Sequence, residues 1–132
     1  MAKKTTLIIA GISGGIAIIL GALGAHALSV RLTPDQLASF KTGTTYHIFH
    51  SIVLLLIGLS GDKIDRKASG VLTTLFTLGI VLFSGSIYIL STKGLLGTQA
   101  LSFIWPVTPI GGLTFIAGWL MIAIYAIQNR FK

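Results

Sequence analysis

The charged residues of this chain stand in short groups, separated by four long stretches that contain no Asp, Glu, Lys or Arg. The uncharged stretches are residues 5–30, 42–61, 68–92 and 94–129. A helix needs about 20 mostly apolar residues to cross the hydrocarbon core of a bilayer, and solid apolar runs indicate helices rather than alternating strands. The predicted membrane spans are about residues 6–28, 45–60, 69–91 and 110–128.

Two connecting segments carry local signals of their own. Thr33-Pro34-Asp35-Gln36 is a typical helix start, with an N-cap Thr, a Pro at the first position, an acid in the first turn and a capping-box Gln. It predicts a short amphipathic helix over about 34–41, lying on the membrane surface before span two. The segment from Gly94 to Pro109 contains Gly97 and two prolines, so it is predicted to be a loop or interfacial turn.

Composition supports a membrane class. Apolar and aromatic residues make up 53% of the 132 residues and charged residues only 10%, whereas soluble domains carry about 25% charged residues. The mean hydropathy is +0.90, and so short a chain cannot hide that much apolar surface by folding alone. The predicted fold is a single all-α membrane domain over 1–132: four transmembrane helices in an antiparallel bundle with a short amphipathic helix on the outer face.

Positive charge predicts the orientation. Four spans place both termini on one side, and that side holds seven basic residues: Lys3, Lys4, Lys63, Arg66, Lys67, Arg130 and Lys132. The opposite side holds three: Arg31, Lys41 and Lys93. The positive-inside rule therefore predicts both termini in the cytoplasm, with the charge contacting anionic lipids and not nucleic acid. A cleaved signal peptide ending near Ala25-His26-Ala27 is the weaker alternative, because its apolar run is too long.

Small residues recur along one face of span one, at Gly14, Ala17, Gly21 and Gly24. Such stripes let helices approach closely in lipid. We expect this stripe to pack inside the bundle rather than to form a dimer seam, and we assign the same packing role to Gly111 and Gly112 in span four. Self-association, or assembly into a larger membrane complex, is also expected.

Polar side chains of the spans are predicted to converge on the outer leaflet. This candidate cluster consists of His26, Tyr46, His50, Ser84, Ser86, Tyr88 and Thr108. Its histidines, together with His47, could ligate a metal or haem, but we favour hydrogen bonds between helices as their role. No catalytic residue, metal or cofactor is predicted, since no carboxylate lies in a span and no Gly-x-Ser-x-Gly elbow occurs.

Several ordered motifs carry a resemblance to a known family. They are Gly21-Ala22-Leu23-Gly24-Ala25-His26, Phe40-Lys41-Thr42-Gly43, Tyr46 with His50, Phe83-Ser84-Gly85-Ser86-Ile87-Tyr88, Thr108-Pro109-Ile110-Gly111-Gly112 and Gly118-Trp119. In these segments the chain resembles the domain-of-unknown-function family 423, the YgdD-like and transmembrane protein 256 group. The resemblance extends over nearly the whole chain and implies a four-span bacterial inner-membrane protein with no established reaction, cofactor or substrate.

The resemblance also bears on the candidate cluster. The family pattern includes positions matching His26, Tyr46 and His50 but not His47, which weakens a metal site built on His47 and His50. We therefore expect hydrogen bonds to join His26 to His50, with Tyr46 or the serines of span three as partners. The predicted function is a non-enzymatic structural or accessory protein, or a lipid-associated factor in envelope maintenance. The alternative is an oligomeric transporter of a small solute or lipid, and less so a histidine-ligated metal or haem protein.

The predicted orientation can be tested by thiol labelling, because the chain has no cysteine. Single substitutions Ser69→Cys, Ser102→Cys and Asn129→Cys each introduce one thiol. In intact cells, an impermeant thiol reagent is expected to label position 102 alone, since of the three positions only 102 is predicted to face outward. Labelling at 129 without labelling at 102 would reverse the orientation.

Overall fold

The computed structural model describes residues 3–132 and consists of four long helices with short connections. The helices are α1 (Lys3–Ala25), α2 (Pro34–Leu59), α3 (Arg66–Leu96) and α4 (Val107–Ile127). Each is long and apolar enough to cross a membrane, which confirms the prediction of an all-α membrane protein. Short 3₁₀ turns lie at Gly61–Lys63 and Gln99–Ile104, and α3 contains a π-helical turn at Ile80–Ser84.

Contacts between successive helices show an up-and-down order. Along α1 and α2, Leu7 lies beside Gly58 at one end and Phe40 lies beside Gly24 at the other. Along α3 and α4, Gly79 faces Phe115. Successive helices are therefore antiparallel. We call the end that holds Lys3 and the C-terminal residues the terminal end, and the opposite end the loop end.

The expected surface helix over 34–41 is instead the first part of α2. The predicted capping box is present, with the Gln36 N–H donating to Thr33 Oγ1 (3.3 Å) and the Thr33 N–H donating to Gln36 Oε1 (3.0 Å). The helix then continues without a break through Gly43. At Gly43 the side chains of Ile87 and Tyr88 come so close that a Cβ would lie about 3.0 Å from both. Packing against α3 thus stabilises α2 where its own sequence suggests an end.

Helices α3 and α4 are longer than their predicted spans. Helix α3 continues to Leu96 and ends at Gly97, which adopts the left-handed φ of 66° that glycine permits. Helix α4 begins at Val107, so Pro109 lies within its first turn, where a missing N–H costs no intrahelical hydrogen bond. The segment between them forms a connection that includes the 3₁₀ turn at Gln99–Ile104, and Trp105 is exposed.

A close backbone contact joins α3 to α4. A methyl group at Gly111 would overlap the backbone of Leu82 and Phe83. Gly79 and Gly118 make the same kind of approach to the rings of Phe115 and Phe76. The hydrophobic effect does not drive helices together in lipid, because the surrounding chains are as apolar as the side chains. Close contacts of this kind stabilise the pair through dispersion instead.

The small residues of α1 divide between two faces. A Cβ added at Gly14 would lie 3.9 Å from Ser51, Ala17 is buried, and a Cβ at Gly24 would lie 3.0 Å from the Phe40 ring. This part of the stripe therefore packs against α2. Gly21 has no such neighbour within 4 Å among the described residues. Gly112, by contrast with Gly111, makes only an ordinary 3.8 Å contact with the Phe83 ring.

The terminal end is closed by the residues after α4. The Asp65 carboxylate caps α3 by accepting from the N–H groups of Lys67 and Ala68, and it accepts from Arg130 at 3.1 Å. Its pKa is lowered, first by the Ala68 N–H and then by the Arg130 guanidinium. Beside this pair, Ile64 and Phe131 form an antiparallel bridge. The C-terminus is thereby attached to the connection between α2 and α3.

The α3–α4 contact predicts a difference between two adjacent glycines. Gly111→Ala is expected to lower the free energy of unfolding by about 1–3 kcal/mol, because the new methyl group must displace the α3 backbone. Gly112→Ala is the matched control and is expected to be neutral or slightly stabilising, since alanine favours helix. Unfolding in detergent micelles measures both. Equal losses would contradict a specific approach at Gly111.

Candidate functional site

Two histidines of α2 lie inside the bundle. His47 is 5% exposed and His50 is 6% exposed. Because α2 begins at Pro34, His47 lies about 20 Å along its axis, so both rings lie near the middle of this helix and not in its first turns. Helix α2 starts about ten residues before the predicted span. The position of the cluster in the outer leaflet stays a prediction.

His47 is the centre of a hydrogen-bonded set that joins three helices. Its Nδ1 lies 3.0 Å from the hydroxyl of Tyr88 on α3, and its Nε2 lies 3.1 Å from the hydroxyl of Ser13 on α1. The Ser13 hydroxyl is also 2.7 Å from that of Ser51, which donates to the carbonyl of His47 at 2.8 Å. We call His47, Tyr88, Ser13 and Ser51 the His47 network.

Counting protons assigns a direction to each of these bonds. Ser51 has one proton, which goes to a carbonyl, so the Ser13 hydroxyl must donate to Ser51. Ser13 then has no proton left for His47, and the imidazole Nε2–H must donate to Ser13. In a neutral ring Nδ1 is then an acceptor for the Tyr88 O–H. The network is one continuous chain from Tyr88 to the α2 backbone.

His50 has the opposite tautomer. Its Nδ1 lies 2.7 Å from the carbonyl oxygen of Tyr46, which can only accept, so the proton is on Nδ1. Its Nε2 accepts from the indole N–H of Trp119 at 3.2 Å. The ring stacks on Phe115 with centroids 3.6 Å apart and planes 12° apart. These contacts fasten α2 to α4 and leave His50 with both nitrogens engaged.

The remaining members of the predicted cluster join neighbouring helices in pairs. The Ser84 hydroxyl of α3 donates to the Gly43 carbonyl of α2 at 2.8 Å. The Ser86 hydroxyl donates to the carbonyl of Phe83, and it therefore accepts from Thr108 of α4 at 2.6 Å. Tyr46 is 43% exposed and contributes its ring, whose centroid is 4.7 Å from that of Phe83.

His26 lies apart from all of them. It is exposed in the turn after α1. Its backbone N–H donates to the Ala22 carbonyl and its carbonyl accepts from Ser29, whereas its imidazole has no hydrogen-bond partner among the described residues. The expected bond between His26 and His50 is not formed, because the two nitrogens of His50 have other partners. Across residues 3–132, moreover, no three His, Asp or Glu side chains come together in a way that could hold a metal ion.

The predicted cluster left out four participants: His47, which was considered only as a metal or haem ligand, and Ser13, Ser51 and Trp119. Ser13 adjoins the small-residue stripe that faces α2, so its position there was a usable signal. Ser51 follows His47 by four residues and therefore lies on the same helical face. The role of Trp119 could not be read in the same way, since half of its surface is exposed.

The network predicts unequal effects for the histidines. His47→Ala is expected to lower the free energy of unfolding by about 1–3 kcal/mol, because it leaves the partly buried Tyr88 hydroxyl without an acceptor. His26→Ala is expected to change it by less than about 0.5 kcal/mol. His47→Ala combined with Ser13→Ala should be non-additive, whereas His26→Ala with His50→Ala should be additive. Detergent unfolding measures all of them, and equal losses at His26 and His47 would contradict the network.

Comparison with known proteins places this arrangement in a family. Residues 20–112 match the family described as a protein of unknown function (DUF423). The UPF0382 membrane protein YwdK of Bacillus subtilis (strain 168) is 38% identical over 128 residues, which cover 95% of this chain and 98% of YwdK. The UPF0382 inner membrane protein YgdD of Escherichia coli (strain K12) is 35% identical over 133 residues, covering 100% of this chain and 96% of YgdD. No solved structure matches. The chain therefore belongs to the DUF423 family of membrane proteins, as the motifs of its four spans predicted.

Proposed function

We propose that this protein is a non-enzymatic, lipid-associated protein of the inner membrane, which acts as a structural or accessory factor of the envelope. The observation that carries the proposal is a groove of about 600 Å³ at the start of α3. Its lining combines the charged side chains of Asp65, Arg66 and Lys67 with the apolar side chains of Val71 and Leu75. Two cations beside an apolar lining fit the headgroup and acyl chain of an anionic phospholipid.

The neighbouring charges favour this ligand. Asp65 is the carboxylate nearest in sequence to both cations, and it is already paired with Arg130 and with two backbone N–H groups. The terminal end thus keeps an excess of positive charge. Such an excess favours cytoplasmic termini and contact with the anionic lipids of the cytoplasmic leaflet.

The hydrogen bonds of the polar side chains within the spans support a structural role. The hydroxyls and imidazoles of the His47 network bond to one another, and both His50 nitrogens have protein partners. Groups engaged in this way hold helices together. The apolar outer face of α1, which includes Ile8, Ile12 and Ile19, is the surface on which we expect self-association or assembly with a membrane partner.

Anionic-lipid binding is expected to depend on the cations at the groove. Each basic residue near a membrane surface contributes about 1 kcal/mol, so the double variant Arg66→Gln/Lys67→Gln should bind phosphatidylglycerol roughly 30-fold more weakly. The matched control is Arg31→Gln/Lys41→Gln, which removes the same charge at the loop end and should leave this site unchanged. Thermal stabilisation of the purified protein by added phosphatidylglycerol measures both. If both variants lost phosphatidylglycerol binding equally, binding would depend on net charge alone. That result would refute a specific site at Arg66 and Lys67.

Transport is the second candidate function. It is favoured by the position of the His47 network near the middle of α2, where Ser13, His47 and Tyr88 line a groove between α1 and α3. Polar groups within membrane spans mark substrate paths in transporters. Saturable flux of a solute or lipid into proteoliposomes would select transport, and its absence alongside phosphatidylglycerol binding would select the first proposal.

A further inference from the structure

A groove lies between α1 and α3. Near the terminal end the two helices are joined by a buried hydrogen bond, 3.1 Å long, between the hydroxyls of Thr6 and Thr73. Toward the loop end the groove has two chambers, of about 420 Å³ and 350 Å³, which share Leu20 and Tyr88 as lining residues. We call them the lower and the upper chamber. Volumes of about 300–1,000 Å³ are typical of ligand sites.

The lower chamber opens toward lipid and has polar atoms at its base. Ile12 and Ile16 of α1 form one wall, and Ile16 is 44% exposed. The polar lining comes from Ser13, His47 and Tyr88, whose protons are all committed within the His47 network. The hydroxyl oxygens of Ser13 and Tyr88 each retain an unused lone pair, so they can accept one further hydrogen bond.

A residue with an unpartnered hydroxyl lines the same chamber. Thr77 Oγ1 is buried with no hydrogen-bond partner in the described chain. The one other such side-chain atom within residues 3–132 is Thr98 Oγ1, and Thr98 lines the upper chamber. Threonine in a helix takes either of two χ1 rotamers, so the Thr77 hydroxyl, which is covered in this rotamer, can turn toward the chamber. A buried hydroxyl that lacks a partner is costly in hydrocarbon, which supplies none.

The backbone of α3 is irregular along the same wall. The π-helical turn at Ile80–Ser84 lies between Thr77 and Tyr88, and Ile80 and Val81 from this turn line the lower chamber. A π-helical turn is a rare interruption of an α-helix and frequently occurs at functional sites. The irregular turn and the unpaired hydroxyl are separate observations that point to the same chamber.

We propose that this groove binds a neutral lipid with a free hydroxyl group. The Thr77 hydroxyl lacks an acceptor for its proton, while the Ser13 and Tyr88 oxygens can each accept one more hydrogen bond. The hydroxyl of a lipid meets both needs, because it can accept from Thr77 and donate to Ser13 or Tyr88. Thr77 and Ser13 lie one and two turns beyond the Thr6–Thr73 bond, so they differ by only about 5 Å in depth. No charged side chain lines either chamber, so an ionised headgroup would be buried here without a counter-charge. The apolar walls hold the chain of the lipid.

Photocrosslinking with a long-chain alcohol tests this site. The probe is hexadecanol with a diazirine in its chain, and its methyl ether, which cannot donate, is the paired probe. Thr77→Val removes only the unpaired hydroxyl and should weaken capture of the alcohol roughly two- to tenfold, the worth of one hydrogen bond. Thr74→Val is the matched control, since the Thr74 hydroxyl bonds to its own helix at Gly70 (2.9 Å), and it should leave capture unchanged.

A second pair of variants tests the location. Ile16→Trp fills the lower chamber and should abolish crosslinks to α1 and α3, whereas Ile19→Trp, on a residue outside both chambers, should retain them. If the alcohol and the ether were captured equally, and Thr77→Val changed neither, the groove would bind acyl or alkyl chains without recognising a hydroxyl. That result would refute the proposal. Absence of crosslinks in the groove would also refute it. Arg66 and Lys67 are unchanged in all these variants, so phosphatidylglycerol stabilisation tests the proposed function separately.

Discussion

Hydrocarbon offers no hydrogen bonds, and this constraint governs how the polar side chains of the four helices are arranged. The bundle meets it by pairing polar groups across helix boundaries. His47 joins α2 to both α1 and α3, His50 joins α2 to α4, and Ser86 joins α3 to α4. Helix α2 consequently bonds to every other helix and holds the bundle together. The two imidazoles are fixed in opposite tautomers because their partners differ in what they can accept.

The pairs of neighbouring helices differ in how closely they pack. The α3–α4 pair is joined by backbone contact at Gly111, which admits no larger side chain. Helix α1 packs along α2 and reaches α3 through the bond between Thr6 and Thr73, beyond which the groove opens. Helix α1 is therefore held mainly by α2, and the groove between α1 and α3 lies beside a closely packed core. A lipid site between α1 and α3 is consistent with this distribution of packing.

The four helices could be predicted from the sequence because length and hydropathy are local properties of each uncharged stretch. Helix bounds and partners could not, because they depend on packing between stretches. Gly43 suggests an end to a helix, yet α2 continues past it in contact with Ile87 and Tyr88, so both histidines lie near the middle of α2. His26 and His50 both belong to the family pattern, yet they lie apart in the structure. Nothing in the segment around Ser13 predicts a hydrogen bond. Its role follows only when His47 is known to lie opposite it.

The closure at the terminal end has a consequence for how the chain is assembled in the membrane. Asp65 and Arg130 lie on either side of two complete spans, and Ile64 and Phe131 pair beside them. The pair can form only after α4 has crossed, and only if α4 has crossed in the direction opposite to α3. An inverted or uninserted α4 leaves Arg130 on the wrong side and Asp65 without its cation. The ion pair is therefore compatible only with a chain in which α3 and α4 have both crossed, in opposite directions.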